Sequence, residues 1–171
     1  TRPVVATLKV SGPWPCGRGG EGTVELHQLR RGRTGGWEIT AVEEVISPEQ
    51  DLDSARTIAA GGAGLAPETW PVLKELARRL DAAVGATRPA VVEGHVEEWR
   101  MIGQSGKTVH PDVYLAFGIS GDIQHMVGVK NAGLIIAVNR DPRAAIFNYS
   151  DIGIVEDANK FIPALLEQLK R

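Results

Sequence analysis

The sequence predicts an α/β chain: a parallel sheet with helices on both faces, preceded by a short β-rich N-terminal segment. Three observations carry this. Runs such as Leu134-Ile135-Ile136-Ala137-Val138 are apolar throughout instead of alternating, as strands covered on both sides are. Between such runs apolar residues return at helical spacing, as at Leu73, Leu76, Ala77 and Leu80. Gly-, Ser- and Asn-rich turns separate the two kinds of segment. The 171 residues, 43% hydrophobic and 23% charged, fit one ordinary globular domain.

In chain order, Val4 to Val10, Thr23 to Leu29 and Trp37 to Val42 read as three short strands. Ser11 to Gly20 and Arg30 to Gly36 are the loops between them, and Pro48 to Ser54 is an acidic connector. After Arg56 the rhythm becomes strand, turn, helix. Thr57 to Ala60 runs into Gly61-Gly62-Ala63-Gly64 and then the helix of Leu73 to Leu80. Ala82 to Ala86 is a buried strand leading through Thr87-Arg88 into a second helical stretch. Val113 to Gly118 is a strand, Ile119 to Val127 a turn into a helix, and Ile152 to Val155 the last strand. Asp157 can cap a final helix expected to bury Phe161, Leu165, Leu166 and Leu169. The expected division is 1–56 as a β-rich part of the same domain and 57–171 as the core. The opening run reads as a piece that starts inside a longer polypeptide.

In a parallel sheet ligands bind at the carboxyl ends of the strands, so the turns there are the candidates. Gly61 to Gly64 either lets backbone amides approach a phosphate or is simply a tight turn. Thr87-Arg88 offers a fixed cation. Gly103 and Gly106 bracket Gln104 and Ser105, with Lys107 behind. Ser120, Gly121 and Gln124 lie at a turn into a helix, and His125 lies about one turn in. Of the four histidines it alone sits in such a turn. Asn139 ends the most apolar strand, and Asp157 is either a cap or an acceptor for ribose hydroxyls.

The edge as a whole suits a polyhydroxylated, phosphate-bearing ligand. A net charge of −2, with aromatics at 5%, argues against nucleic-acid binding, and no run is long enough for direct membrane insertion. One cysteine, Cys16, allows no internal disulfide and no cysteine metal cluster, which favours a reducing compartment. No Gly-x-Ser-x-Gly elbow supports a hydrolase, and no ligand spacing supports zinc.

Taken in order, Gly85-Ala86-Thr87-Arg88, Ile102-Gly103-Gln104-Ser105-Gly106-Lys107, Tyr114 to His125 and Ala137 to Pro142 resemble the FAD domain of the electron-transfer flavoprotein α subunit. The stretch Asp151 to Asp157 is similar as well, and the Ile-Ser-Gly-x-Ile-Gln-His run is specific to that family. The likeness is strong over 57–171 and looser before it. It implies a Rossmann-like sheet holding FAD, which carries single electrons through an anionic semiquinone from acyl-CoA or other dehydrogenases to a quinone oxidoreductase or similar acceptor. It implies a heterodimer with a β subunit, in the bacterial or archaeal cytoplasm or the mitochondrial matrix. An electron carrier is then expected in preference to an enzyme in its own right. By match, Arg88 lies near the reactive side of the isoalloxazine, Ser105 offers its hydroxyl to N5, and His125 sits at the N1/O2 side. Gln104, Ser120, Gly121 and Gln124 hold ribityl or pyrophosphate groups within the Gly103 to Gly106 and Ser120 turns. Asn139 and Asp157 lie toward adenosine.

Two departures stand out. Ala63 replaces the family's arginine in the Gly-rich turn, so either FAD is held more weakly or Arg18 or a partner supplies that charge. The α subunit's preceding domain is expected to be absent. The rival readings are a nucleotide-binding scaffold or sensor without redox activity, and an NAD(P)-dependent oxidoreductase domain, for which no nicotinamide pocket is marked.

Overall fold

The computed structural model describes residues 51–169 apart from Lys130. The three expected N-terminal strands, and whether residues 1–50 join this domain, lie outside the described residues.

Five parallel strands form one sheet: β1 (Thr57–Gly61), β2 (Ala83–Ala86), β3 (Val113–Phe117), β4 (Leu134–Asn139) and β5 (Ile152–Val155). Their order is β2-β1-β3-β4-β5. Chain direction across the sheet therefore reverses beside β1, and the carboxyl ends of β1 and β3 flank the switch point. The central strand β1 and the edge strand β2 are buried almost throughout, while β3 and β4 alternate buried and half-buried positions. β5 is an edge strand and its Ile152 and Val155 are exposed.

On one face Ala59, Val84, Phe117 and Val138 meet α1 (Thr69–Arg79) and α4 (Ala158–Gln168). Helix α1 buries Leu73, Leu76 and Ala77, the stripe its spacing predicts. Each such leucine removed from water contributes roughly 1.5–3 kcal/mol. The other face carries Ile58, Ala60, Tyr114, Ala116 and Ile135. It is covered less regularly, by α3 (Ile123–Met126), by Ile146 from the 3-10 turn Ala145–Asn148, and by Ile102 and Val109 from irregular chain. The short α2 (Arg88–Val92) follows β2, and a second 3-10 turn spans Glu98–Arg100.

Leu52 and Ala55 are buried in the second face, so the end of the acidic connector contributes to the packed core. One expectation needs correction. Leu169 is 43% exposed, because α4 ends at Gln168 and the residue falls beyond the packed turns. The buried stripe of α4 is Ala158, Ile162 and Leu166, with Phe161 and Leu165 half-buried beside it. Asp157 does cap α4, its carboxylate accepting from Asn159 N at 3.0 Å.

Candidate functional site

A cleft of about 990 Å³ opens over the switch point. Its lining comes from the ends of four strands: Gly62 to Gly64 after β1, Thr87 to Pro89 after β2, Gly118 to Ser120 with α3 after β3, and Asn139-Arg140 after β4. The loop Ile102 to Ser105 closes one side. Of the predicted residues, Arg88, Gly103, Gln104, Ser105, Ser120, Gln124, His125 and Asn139 line it. Gly106, Gly121 and Asp157 do not.

Those three sit where packing or capping requires them. A side chain at Gly106 would run into the Met101 carbonyl, and one at Gly121, where φ is +85°, would strike the backbone of Ile146. Asp157 caps α4. The Asn159 backbone N–H and side chain hold its carboxyl below the usual range, with help from Lys160 and the cleft residue Arg140.

The Gly-rich turn is tight for a different reason from phosphate approach. Gly62 N–H donates to Phe117 O at 3.0 Å and Gly64 N–H to Gly118 O at 3.0 Å, so both amides are spent on the end of β3. A Cβ at Gly64 would lie 2.8 Å from Gly118 O. The glycines let two strand ends approach closely and so shape the floor of the cleft. Asn159 braces the same turn from α4, accepting from Ala66 N at 2.8 Å and Thr69 Oγ1 at 2.7 Å and donating to Gly64 O at 3.0 Å. No sequence signal marked Asn159, because its partners lie some ninety positions away in the chain.

Inside the cleft most polar side chains are exposed, but two are buried. Thr87 is 7% exposed and its Oγ1 has no partner among the described residues. An orphaned buried hydroxyl carries a desolvation cost of about 1–3 kcal/mol that a bound polar ligand would relieve. Sequence reading named Thr87 only as the neighbour of Arg88. His125 is 6% exposed, with Nδ1 at 3.0 Å from Ile102 O and Nε2 at 2.8 Å from Tyr114 Oη. Burial pushes its pKa down, against the opposing pull of the Ile102 carbonyl and Asp122. Burial thus works against a charged ring at this position.

Its pH consequence has a definite sign. The folded ring resists a proton that an unfolded histidine accepts at about pH 6.5, so the unfolded state binds more protons below that pH. Stability should fall as pH drops from 6.5, with a slope approaching about 1.4 kcal/mol per pH unit. Urea unfolding at pH 7, 6 and 5 checks this, and the slope should flatten in His125→Gln.

Asn139 is committed to shape: Nδ2 donates to Ile119 O at 2.8 Å and Oδ1 accepts from Asp141 N at 2.9 Å. Lys107, which follows the Gln104-Ser105-Gly106 turn, does not line the cleft. Its ammonium pairs with Asp51 and Asp53, each at 2.6 Å. Between those carboxylates Leu52 plugs the core, so the acidic connector clasps the base of the Gly103 to Gly106 loop. Lys107 also closes that loop through its backbone, donating to Met101 O and accepting from Gly103 N. Exposed pairs contribute little individually. Lys107→Met should therefore keep the fold and speed hydrogen exchange at the Gly103 amide about threefold. Unchanged exchange would show that the clasp does not restrain the loop.

The cleft fits a dinucleotide-sized flavin cofactor on chemical grounds. It offers an unpartnered buried hydroxyl, two exposed cations in Arg88 and Arg140, and exposed amide and hydroxyl side chains in Gln104, Ser105, Ser120 and Gln124. Among the described residues no acidic or histidine cluster could hold a metal ion, and no helix is long and apolar enough to cross a membrane.

Residues 51–130 match the family model described as the electron transfer flavoprotein FAD-binding domain. The chain is 44% identical over 136 residues to the electron transfer flavoprotein subunit alpha, mitochondrial, of Dictyostelium discoideum, covering 79% of this chain and 38% of that protein. It is 48% identical over 120 residues to the Arabidopsis thaliana mitochondrial subunit alpha, covering 70% and 33%. It is 45% identical over 122 residues to the subunit alpha of Thermoanaerobacterium thermosaccharolyticum, covering 71% and 37%. The chain thus spans well under half the length of these relatives. The matched stretch holds β1 to α3 and with them all of the cleft except Asn139 and Arg140. Through that stretch the chain belongs to the electron transfer flavoprotein α-subunit family, as its FAD-binding domain.

Proposed function

We propose that this chain binds FAD in the switch-point cleft and serves as the cofactor-holding part of an electron-transfer flavoprotein α subunit. Paired with a β subunit, it passes single electrons from an acyl-CoA or other dehydrogenase to a quinone oxidoreductase or similar acceptor. The bacterial or archaeal cytoplasm or the mitochondrial matrix would be its place. The observation that carries the reading is the cleft itself: a buried hydroxyl without a partner among the described residues, a buried imidazole and two cations converge at the strand ends, most of them in a stretch with the family's sequence. Its volume of about 990 Å³ lies at the upper end of the range of about 300–1,000 Å³ typical of cofactor sites.

Bound FAD would supply one-electron chemistry, and the protein's part is to bind, orient and set charge. Arg88, expected by match near the reactive side of the isoalloxazine, and Arg140, which lines the same cleft as Ala63, would both face the cofactor's anionic groups. Thr87 Oγ1 would gain the partner it lacks. Gln104, Ser105, Ser120, Gln124 and the Gly103 backbone would meet ribityl and ring atoms, while Gly106, Gly121, Asn139 and Asp157 would hold the surrounding loops in shape.

The test is a visible absorption spectrum of the purified chain with added FAD, followed by stepwise anaerobic reduction. Tight uptake with reduction in two resolved one-electron stages is expected. Uptake with a single two-electron stage would remove the electron-carrier reading and keep the cofactor. No uptake would overturn the proposal in favour of a scaffold without redox activity.

A further inference from the structure

Geometry fixes the role of one His125 nitrogen, and the role of the other follows once the ring is neutral. Ile102 O can only accept, so the nitrogen 3.0 Å from it, Nδ1, must carry a proton. In a neutral ring Nε2 is then bare and can only accept, and the group 2.8 Å away is the Tyr114 hydroxyl, which donates. Tyr114 is fully buried on β3, where Ala60, Ala116 and Ile135 share its core face. Among the described residues its hydroxyl bonds to His125 and to nothing else. The two rings tilt at 46° with centroids 6.2 Å apart, edge to edge through that bond rather than stacked.

We propose that Tyr114 is a positioning residue for the cleft: by donating to Nε2 while Nδ1–H is held by Ile102 O, it locks His125 as a neutral imidazole in one tautomer and so sets the charge met by whatever binds there. The inference rests on the FAD reading only for the identity of that ligand. Both nitrogens face protein atoms, so His125 enters the cleft without a free N–H. Any proton it later shares with a ligand has to be exchanged against one of these two bonds. Tyr114 resists ionisation strongly in its dry site, because burial raises its pKa. It therefore remains a donor throughout the working pH range. Asp122, the cap of α3, is the charged neighbour that opposes the lock by favouring a protonated ring.

Nitrogen NMR of the histidine side chains in the cofactor-free protein reads this directly. At pH 7 His125 should show a protonated Nδ1 and a pyridine-type Nε2 displaced by an accepted hydrogen bond. In Tyr114→Phe the Nε2 resonance should move to that of an unbonded pyridine-type nitrogen while Nδ1 stays protonated. A protonated Nε2 in the parent protein, or an Nε2 resonance unmoved by Tyr114→Phe, overturns the proposal. If the variant does not fold, the parent spectrum alone decides the tautomer.

A second arm uses the FAD-loaded protein. Tyr114→Phe should shift the flavin midpoint potential, because a ring that has lost its Nε2 partner can turn or change tautomer beside the reduced ring. Ile135→Val, a core trim on the same face, should lower stability and leave the potential in place. Equal potentials in all three proteins would reduce Tyr114 to a packing residue and overturn the proposal. Should the parent protein fail to take up FAD, the cofactor reading falls, and the first arm still tests the lock.

Discussion

Gly121→Val should lower the unfolding free energy by about 4 kcal/mol, the largest single-residue effect expected in this fold. Two costs add. The backbone at Gly121 has φ +85°, a region that costs a residue with a side chain roughly 1–2 kcal/mol and a β-branched one more. The new Cβ would also be driven into the backbone of Ile146 and Ala145. That backbone has nowhere to go, because Ile146 N donates to Ser120 O at 2.9 Å and the Ile146 side chain is fully buried. Overpacking of this kind costs about 1–3 kcal/mol. Gly94→Ala is the control, since Gly94 has φ +77° but open space around it. There only the dihedral cost of about 1 kcal/mol should appear. Urea unfolding of both variants separates the two terms, and equal losses would show that Ile146 is not the obstacle.

On binding, the largest expected effect comes from removing both cleft cations. Arg88→Met with Arg140→Met should weaken FAD binding about 100-fold, each charge-assisted bond being worth about 1.5–3 kcal/mol less what solvent screening removes. Both side chains are exposed on the cleft rim, so the single variants should each lose about tenfold and added salt should weaken the parent more than the double variant. Fluorescence titration with FAD at two salt concentrations measures this. A double variant that binds as tightly as the parent would place the pyrophosphate away from both residues. Thr87→Val adds a complementary case: it deletes a hydroxyl that has no partner among the described residues, so stability should hold or rise while affinity falls.

Much of the fold was legible because local pattern and tertiary role coincide. Leu134 to Val138 is apolar at every position, with Ile135, Ala137 and Val138 buried and Leu134 and Ile136 half-buried, and Asp157 stands before the Phe161 to Leu166 run as a cap should. The acidic connector was harder to read. Leu52 sits between two aspartates, and only the presence of Lys107 opposite explains why such a segment can press into the core. The site divides in the same way. Residues that face the cleft with free polar groups, such as Gln104, Ser105 and Ser120, were found by type and turn. For Gly62 and Gly64 phosphate approach and a tight turn stood side by side, and the structure favours the turn, because their amides are consumed by β3, a neighbour more than fifty residues on in the chain. His125 was legible by position, while its hydrogen-bond partners Tyr114 and Ile102 carry no mark of function in the sequence.

The cleft's assembly from four strand ends has a consequence for how the molecule is made. Gly62, Thr87, Ser120 and Asn139 meet only after β3 has inserted beside β1 and β4 beside β3. During synthesis, therefore, nothing resembling the finished pocket exists until the chain has been extended past Arg140. A cofactor cannot act as a template for the early part of folding. It can only trap the completed sheet, stabilising it by mass action once the protein has left the ribosome. Cellular supply of cofactor would then govern how long finished molecules survive, while leaving the rate at which they first fold untouched.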